Sequence, residues 1–385
     1  MKTIYLDYMA TTPVDPRVAA KMQRYLTVEG AFGNPASQHS YGWEAQEAIE
    51  EARQQVAQAI HAESKSIVWT SGATEAINLA LKGAADFYQR KGKHIITWAT
   101  EHSAVLNVCG YLESQGFEVT YLKPHPNGLV DLKVLEKALR NETVLVSVAQ
   151  VNNEIGVIQD IAAISQRVHE KGALLHVDAA QSVGKVAINV HVMGVDLLSL
   201  SAHKAYGPKG IGALYLRQQP RVRLTPQIQG GGHENGVRGG TLPTHQIVGM
   251  GAALALAEKE REAEVPRIMQ LRNYLWEGLQ KLEGIYLNGD WEHRVAHNLN
   301  IRVEGVEGET LLTALHSLAL SSGSACNAVT HEPSHVLLAL GLNRLEADRA
   351  IRISLGRFTT SEEIEFALEQ MTTQIQRLRN ISGYS

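Results

Sequence analysis

A chain of 385 residues, 44% of them hydrophobic, is long enough to bury a sizeable core and has room for two or three domains. Its formal net charge of −4 excludes a general nucleic-acid binder of the basic kind. The two cysteines, Cys109 and Cys326, offer no disulfide framework, no apolar run reaches membrane-spanning length, and MKTIYLDYMATTPVDP lacks the apolar stretch of a secretory signal, so a cytoplasmic α/β protein is expected.

From residue 66 to 216 strand-like apolar runs alternate with helical patterns. Strands are predicted at 66–70, 94–99, 118–122, 144–148, 173–177, 196–200 and 211–216, and helices at 75–90, 104–114, 132–140 and 161–170. Such alternation marks crossovers onto a largely parallel sheet, whose ligands gather at the carboxyl ends of the strands. The glycine-rich run 230–240 breaks the pattern, and a long helix is predicted over 245–282. Fewer strands follow, at 298–303 and near 318–321, with several helices. The last helix, 362–379, stops before Asn380-Ile381-Ser382-Gly383. The change of pattern predicts a second, smaller C-terminal domain.

The densest chemical cluster is Ser199-Leu-Ser201-Ala-His203-Lys204, followed by a Gly/Pro turn. A lysine between an apolar strand and a tight turn is positioned and partly desolvated, which suits Schiff-base chemistry. The plain alternative, an exposed lysine, is the commoner fate of a lysine standing alone. Asp178 closes the strand ALLHVDAAQ, where a carboxylate is costly without a cationic partner. A protonated pyridine nitrogen is one such partner, and an ordinary helix N-cap is the alternative. TSGATEAIN, residues 70–78, reads as a strand–turn–helix junction that either cradles a phosphate or forms a capping box. No Walker or dinucleotide glycine pattern occurs, so phosphate anchoring without nucleotide binding is the better reading.

Together these pieces resemble the class V aminotransferase group of fold-type I pyridoxal-phosphate enzymes, and more closely the cysteine desulfurases of the NifS/IscS type. The resemblance runs from YLDYMATTP to IRISLGRFT and includes FGNPASQH, TSGATEAINLA, ATEHSAVL, VNNEIGV, HVDAAQS, SAHKAYGPKGIGAL, GGGHENGVRGGTLP and SSGSAC. It implies a large domain over 15–255, with a mostly parallel seven-stranded sheet. The smaller α/β domain would take 1–14 and 256–385 and carry a cysteine loop at about 321–333.

The resemblance also implies roles. Lys204 would hold pyridoxal 5'-phosphate, Asp178 would face its pyridine nitrogen, and Gln181 its phenolic oxygen. His102 would stack on the ring and assist proton transfers. Ala73, Thr74, Ser201 and His203 would anchor the phosphate. Thr241 would reach the phosphate of a neighbouring subunit, which implies a homodimer. Asn153, Arg352 and Asn34 would lie on the substrate side, with the Arg352 fork suited to a carboxylate. Gly239 stands where such proteins often have Ser, with little consequence expected because the Thr241 hydroxyl remains.

Cys326 sits among small and polar residues in a stretch that reads as an exposed loop, whereas Cys109 in VLNVCGYL reads as a buried, inert cysteine. A loop cysteine suits a nucleophile that takes sulfur from L-cysteine as a persulfide, leaves L-alanine, and delivers the sulfur elsewhere. The SSGSAC setting resembles the group I subclass, with its long cysteine loop. The expected acceptor is a protein, such as a scaffold for iron–sulfur cluster assembly, with no membrane and no direct nucleic-acid partner. Relatives commonly run on past the Gly383-Tyr384-Ser385 end with a tail that contacts that scaffold, so altered docking is expected. His331 and His335, four residues apart and near Cys326, also allow a metal site, although a solvated loop is the favoured reading. Two other functions remain in view: a selenocysteine lyase or class V aminotransferase, and a non-catalytic protein that binds sulfur acceptors. A plain transaminase needs no cysteine here. A protein that only binds has no use for Lys204, Asp178, His102, Arg352 and Cys326 together.

Overall fold

The computed structural model describes residues 3–322 and 332–384. In chain order the strands are β1 (Ile4–Tyr5), β2 (Ile67–Thr70), β3 (His94–Trp98), β4 (Glu118–Leu122), β5 (Thr143–Ala149), β6 (Leu174–Asp178), β7 (Leu197–Ser201), β8 (Gly212–Leu216), β9 (Ile285–Leu287), β10 (Asn298–Val303), β11 (Leu318–Ala319), β12 (Ser321–Ser322) and β13 (Ala350–Ser354). The helices are α1 (Pro16–Gln23), α2 (Ser40–Ala59), α3 (Ala73–Tyr88), α4 (Ser103–Ser114), α5 (Leu132–Ala138), α6 (Ile161–Glu170), α7 (Thr244–Leu279), α8 (Gly308–Ala314), α9 (His335–Ala339), α10 (Arg344–Asp348) and α11 (Ser361–Ser382).

Seven strands form one sheet in the order β2-β8-β7-β6-β5-β3-β4. β7, β6, β5, β3 and β4 run parallel, and β8 is antiparallel to both its neighbours. The inner strands are buried almost throughout, which explains their nearly continuous apolar sequences. Alternate residues face opposite cores. Ile67, Trp69, Ile96 and Trp98 join a core with α2 and α6, while Val68 and Ile95 join one with α3 and α4. In α3, Ala76, Ile77, Ala80, Leu81 and Ala84 make the apolar stripe that packs on the sheet.

A four-stranded antiparallel sheet, β12-β13-β10-β9, packs with α8 and α11 around another core. Helix α7 joins the two regions. Its Ile247, Met250 and Leu254 belong to the seven-stranded sheet's core, and its Ile268, Leu271, Leu275 and Leu279 to the other. The N-terminal segment also bridges them. Leu6 enters the second core, while Thr12 Oγ1 donates to His203 O at 2.9 Å and accepts from Tyr206 N at 2.8 Å.

Two helices, α1 and α2, go beyond the predicted pattern. The buried face of α2 is built largely from small residues, including Gly42, Ala45, Ala48 and Ala52, so it carries little hydrophobic periodicity. Small residues let it lie close to α7: a Cβ on Gly251 would sit 2.7 Å from Ala52 Cα. α3 starts at Ala73, two residues ahead of the predicted start, because the turn at Gly72 leads directly into the helix.

Candidate active site

A pocket of about 530 Å³ opens at the carboxyl ends of the parallel strands, where such sheets collect ligands. Its size is that of an ordinary small-molecule site. It brings together Ala73, Thr74, His102, Asn153, Asp178, Gln181, Ser201, His203 and Lys204, residues spread widely along the sequence. Each comes from a strand end, the loop beyond it or, for Ala73 and Thr74, the first turn of α3.

Asp178 is the last residue of β6, with its Oδ1 accepting from Ala180 N at 2.9 Å. Burial pushes its carboxyl upward, opposed by that N–H and by the nearby His102 and Lys204. A cation in the pocket would relieve the burial cost. His102 caps α4, and Ala104 N donates to its Nδ1 at 3.0 Å. A neutral His102 ring therefore carries its proton on Nε2. Burial holds that ring's proton affinity down.

Lys204 follows β7 by three residues. Its Nζ donates to Met9 O at 2.5 Å and to Ala10 O at 2.9 Å, so the N-terminal segment completes the site. Met9 O also accepts from Gln181 Nε2 at 2.9 Å. His203 Nδ1 lies 3.1 Å from Thr11 Oγ1, and burial pushes its ring down to about 4. At the other end of the pocket Gly72 precedes α3 with φ +156°, and no side chain caps the helix. The first N–H groups of α3, with Thr74 beside them, thus form a ready anion cradle. The Glu75 carboxylate accepts from Ser71 N at 2.7 Å and from Arg238 Nε at 2.8 Å.

Other predicted residues lie elsewhere. Arg352 is buried on β13 outside the pocket lining, with Nη1 donating to Asn153 O at 2.8 Å and Nη2 paired with Asp7 Oδ1 at 2.9 Å. Its Nε has no partner. Asn34 is exposed, its Oδ1 accepting from Ala36 N, and Thr241 is also exposed and away from the lining. Cys109 is fully buried, and burial pushes its thiol up to about 12, as befits an inert cysteine. Cys326 and His331 lie outside the described residues. His335 Nε2 lies 2.9 Å from Glu101 O, and the Ser334 hydroxyl donates to the Glu154 carboxylate. Ser334 and His335 are therefore tied to residues that neighbour His102 and Asn153 of the pocket lining. Among the described residues no group of three or more side chains is arranged to hold a metal.

Met9 O, Ala10 O and Thr11 had no sequence signal as site groups. A backbone acceptor has no residue-type signature, and Thr11 reaches His203 across 192 positions.

Residues 4–366 match the family described as aminotransferase class-V. The chain is 58% identical over 380 residues to the cysteine desulfurase IscS of Escherichia coli O139:H28 (strain E24377A / ETEC), covering 98% of this chain and 94% of that protein. Among solved structures it resembles a NifS-like protein with a TM-score of 0.90 and 36% identity, over 97% of this chain and 99% of the other. It also resembles SspA in complex with cysteine, with a TM-score of 0.82 and 40% identity, over 93% and 100% of the two chains.

Proposed function

The chain belongs to the class-V aminotransferase family and is a cysteine desulfurase, and we propose that it works through pyridoxal phosphate held on Lys204 and a persulfide formed on Cys326. The observation that carries this reading is the convergence of Lys204, Asp178, His102, Gln181 and the uncapped start of α3 on one pocket. The donor set fits the cofactor. An amine suits its aldehyde, a buried carboxylate its ring nitrogen, an amide its phenolic oxygen, and a helix N-terminus its phosphate. When bound, the cofactor supplies an electron sink for charge developed at the substrate α-carbon.

The chain's own residues do the rest. Ala73, Thr74, Ser201 and His203 hold the phosphate end, and Asp178 keeps the ring nitrogen protonated. Lys204 and His102 move protons at the substrate's α-carbon and β-carbon. Arg352, beside Asn153, takes the substrate carboxylate, while Asn34 supports the substrate side. The Cys326 thiolate attacks the sulfur of L-cysteine. A sulfur–sulfur bond forms, the carbon–sulfur bond breaks, and its electron pair returns to the β-carbon, which takes a proton to give L-alanine. The solved relative described with cysteine supports that substrate.

The persulfide then passes to an acceptor protein, such as an iron–sulfur scaffold. Exposed Thr241, outside the lining of its own pocket, supports a homodimer in which it serves the partner's phosphate site. The two cores support a division into 15–255 and a smaller part of 1–14 with 256–385. No helix among the described residues is long and apolar enough to cross a membrane, and the expected location is the cytoplasm.

L-alanine release from L-cysteine by the cofactor-loaded protein and by Cys326→Ala tests the reading. Alanine from the wild type and nearly none from the variant is expected. Equal release from both would remove Cys326 from the mechanism.

A further inference from the structure

Lys185 lies outside the cofactor pocket, yet hydrogen bonds join it to Lys204. Lys185 Nζ donates to Gln181 Oε1 at 3.4 Å, and Gln181 Nε2 donates to Met9 O at 2.9 Å. Met9 O in turn accepts from Lys204 Nζ at 2.5 Å. One side-chain amide and one carbonyl therefore connect the two amines. Hydrogen bonds linked in this way polarise one another in a low-dielectric interior.

The arrangement fixes the direction of the Gln181 amide. The Met9 carbonyl can only accept, which assigns the nitrogen end to it, and the Lys185 amine donates to the oxygen end. The nitrogen end has one hydrogen on Met9 O and a second to offer the pocket that Gln181 lines. That orientation suits an anionic oxygen in the pocket and would repel a donor.

Lys185 itself faces a crevice of about 20 Å³ where the two cores meet. The polar groups around it are Tyr8 from the N-terminal segment, Tyr206 beyond β7, Glu264 on α7 and His297 before β10. The Glu264 carboxylate accepts from Arg357 Nε at 2.7 Å, and His297 Nε2 is buried with no partner. Burial, followed by the charges of Lys204 and Arg352, pushes the Lys185 amine down to about 7, against the pull of Glu264. Electrostatic coupling between two amines is mutual, so a charge on Lys185 also disfavours one on Lys204.

We propose that Lys185 is a positioning residue for the Lys204 centre, orienting the Gln181 amide toward the cofactor's phenolic oxygen and disfavouring a proton on the Lys204 nitrogen. The proposal rests on the reading of Lys204 as the lysine that holds the cofactor.

The test uses the full chain loaded with pyridoxal phosphate, without turnover. Its readout is the pH midpoint of the visible absorbance of the Lys204-bound cofactor. In Lys185→Met the midpoint moves up by about half a pH unit or more. Lys185→Arg, which keeps a cation, returns it toward the wild-type value. Lys185→Gln, polar but uncharged, shifts the midpoint upward too and serves where the methionine variant does not fold. In the cofactor-free protein a like upward shift of the free Lys204 amine, about half a unit, makes both neutral variants capture pyridoxal phosphate about threefold more slowly near neutral pH. An unchanged or lower midpoint in a folded neutral variant overturns the proposal, whatever happens to its thermal stability, and leaves Lys185 a packing residue. A wild type with no visible absorbance dependent on Lys204, checked with Lys204→Ala, would instead overturn the cofactor reading beneath it.

Discussion

His176 shows how a polar residue survives at the centre of the sheet. It is fully buried, with Nδ1 2.8 Å from Ser147 Oγ and Nε2 2.8 Å from Ser199 Oγ, so one ring spans three strands two residues before Asp178. Burial pushes it down to about 3. The unfolded chain therefore takes up this proton first, at its ordinary value near 6.5. His176 supports stability fully above that value, and the support falls as pH falls from about 6.5 toward 3. The slope approaches about 1.4 kcal/mol per pH unit. In His176→Gln that slope is absent, so the stability gap between wild type and variant narrows by about 1 kcal/mol per unit from pH 6 to pH 5. Urea unfolding of both proteins at each pH measures it, and a constant gap would contradict the assignment. Asp178→Asn belongs at the same scale. With its charge gone, desulfuration should fall by about a hundredfold or more, while cofactor still attaches to Lys204. Visible absorbance and alanine release separate the two effects. Lys204 and Asp178 stood out in sequence by their chemical type at the end of an apolar run, whereas His102 was reached only through the family resemblance; the structure brings all three to one pocket. The Arg352–Asp7 pair was not, since it joins side chains 345 positions apart.

At the scale of elements, the start of α3 carries the phosphate reading. Gly72, at φ +156° and ψ 178°, occupies a region that is essentially closed to other residues. A Cβ there would meet nothing within 4 Å, so the obstacle is backbone conformation rather than space. Gly72→Ala should cost about 1–3 kcal/mol in stability. It should also weaken pyridoxal phosphate binding, because relaxing the turn re-aims the helix N–H groups. Thr360→Ala provides the contrast. Thr360 and Glu363 form a capping box on α11, far in sequence from the cofactor cradle. Its loss should cost about 1 kcal/mol and leave cofactor affinity unchanged. Urea unfolding of the cofactor-free proteins and cofactor titration distinguish the two, and equal affinity in both variants would argue against the cradle at Gly72. The parallel strands were legible because burial on both faces demands continuous apolar runs. Helix α2 was not, because a face of alanine and glycine has shape without hydrophobic contrast.

Across the whole molecule, the proposed function needs the two cores held in one relation, since Asp178 ends a strand of one sheet and Lys204 follows another, while Arg352, the proposed partner of the substrate carboxylate, lies on the other sheet. Besides α7, Arg357 makes this connection. Its guanidinium meets Asp15 Oδ2 and Glu264 Oε2, each at 2.7 Å, and lies 4.3 Å from the centre of the Tyr206 ring. Its backbone N–H donates to the Tyr206 hydroxyl at 2.6 Å. Arg17 and Arg357 together hold the Asp15 carboxyl well below its usual range. The cluster is enclosed, so its worth lies less in the ion pairs than in the cost of breaking them. Arg357→Met leaves Glu264 and Asp15 facing a vanished cation and should cost about 3–5 kcal/mol. Adding Glu264→Gln removes one of the stranded charges and should recover about 1 kcal/mol or more, since the two sites are in contact and not additive. Urea unfolding of the single and double variants gives that coupling directly. A single-variant cost below about 1 kcal/mol, the level of a surface pair, would mean that α7 and the N-terminal segment hold the cores together without Arg357.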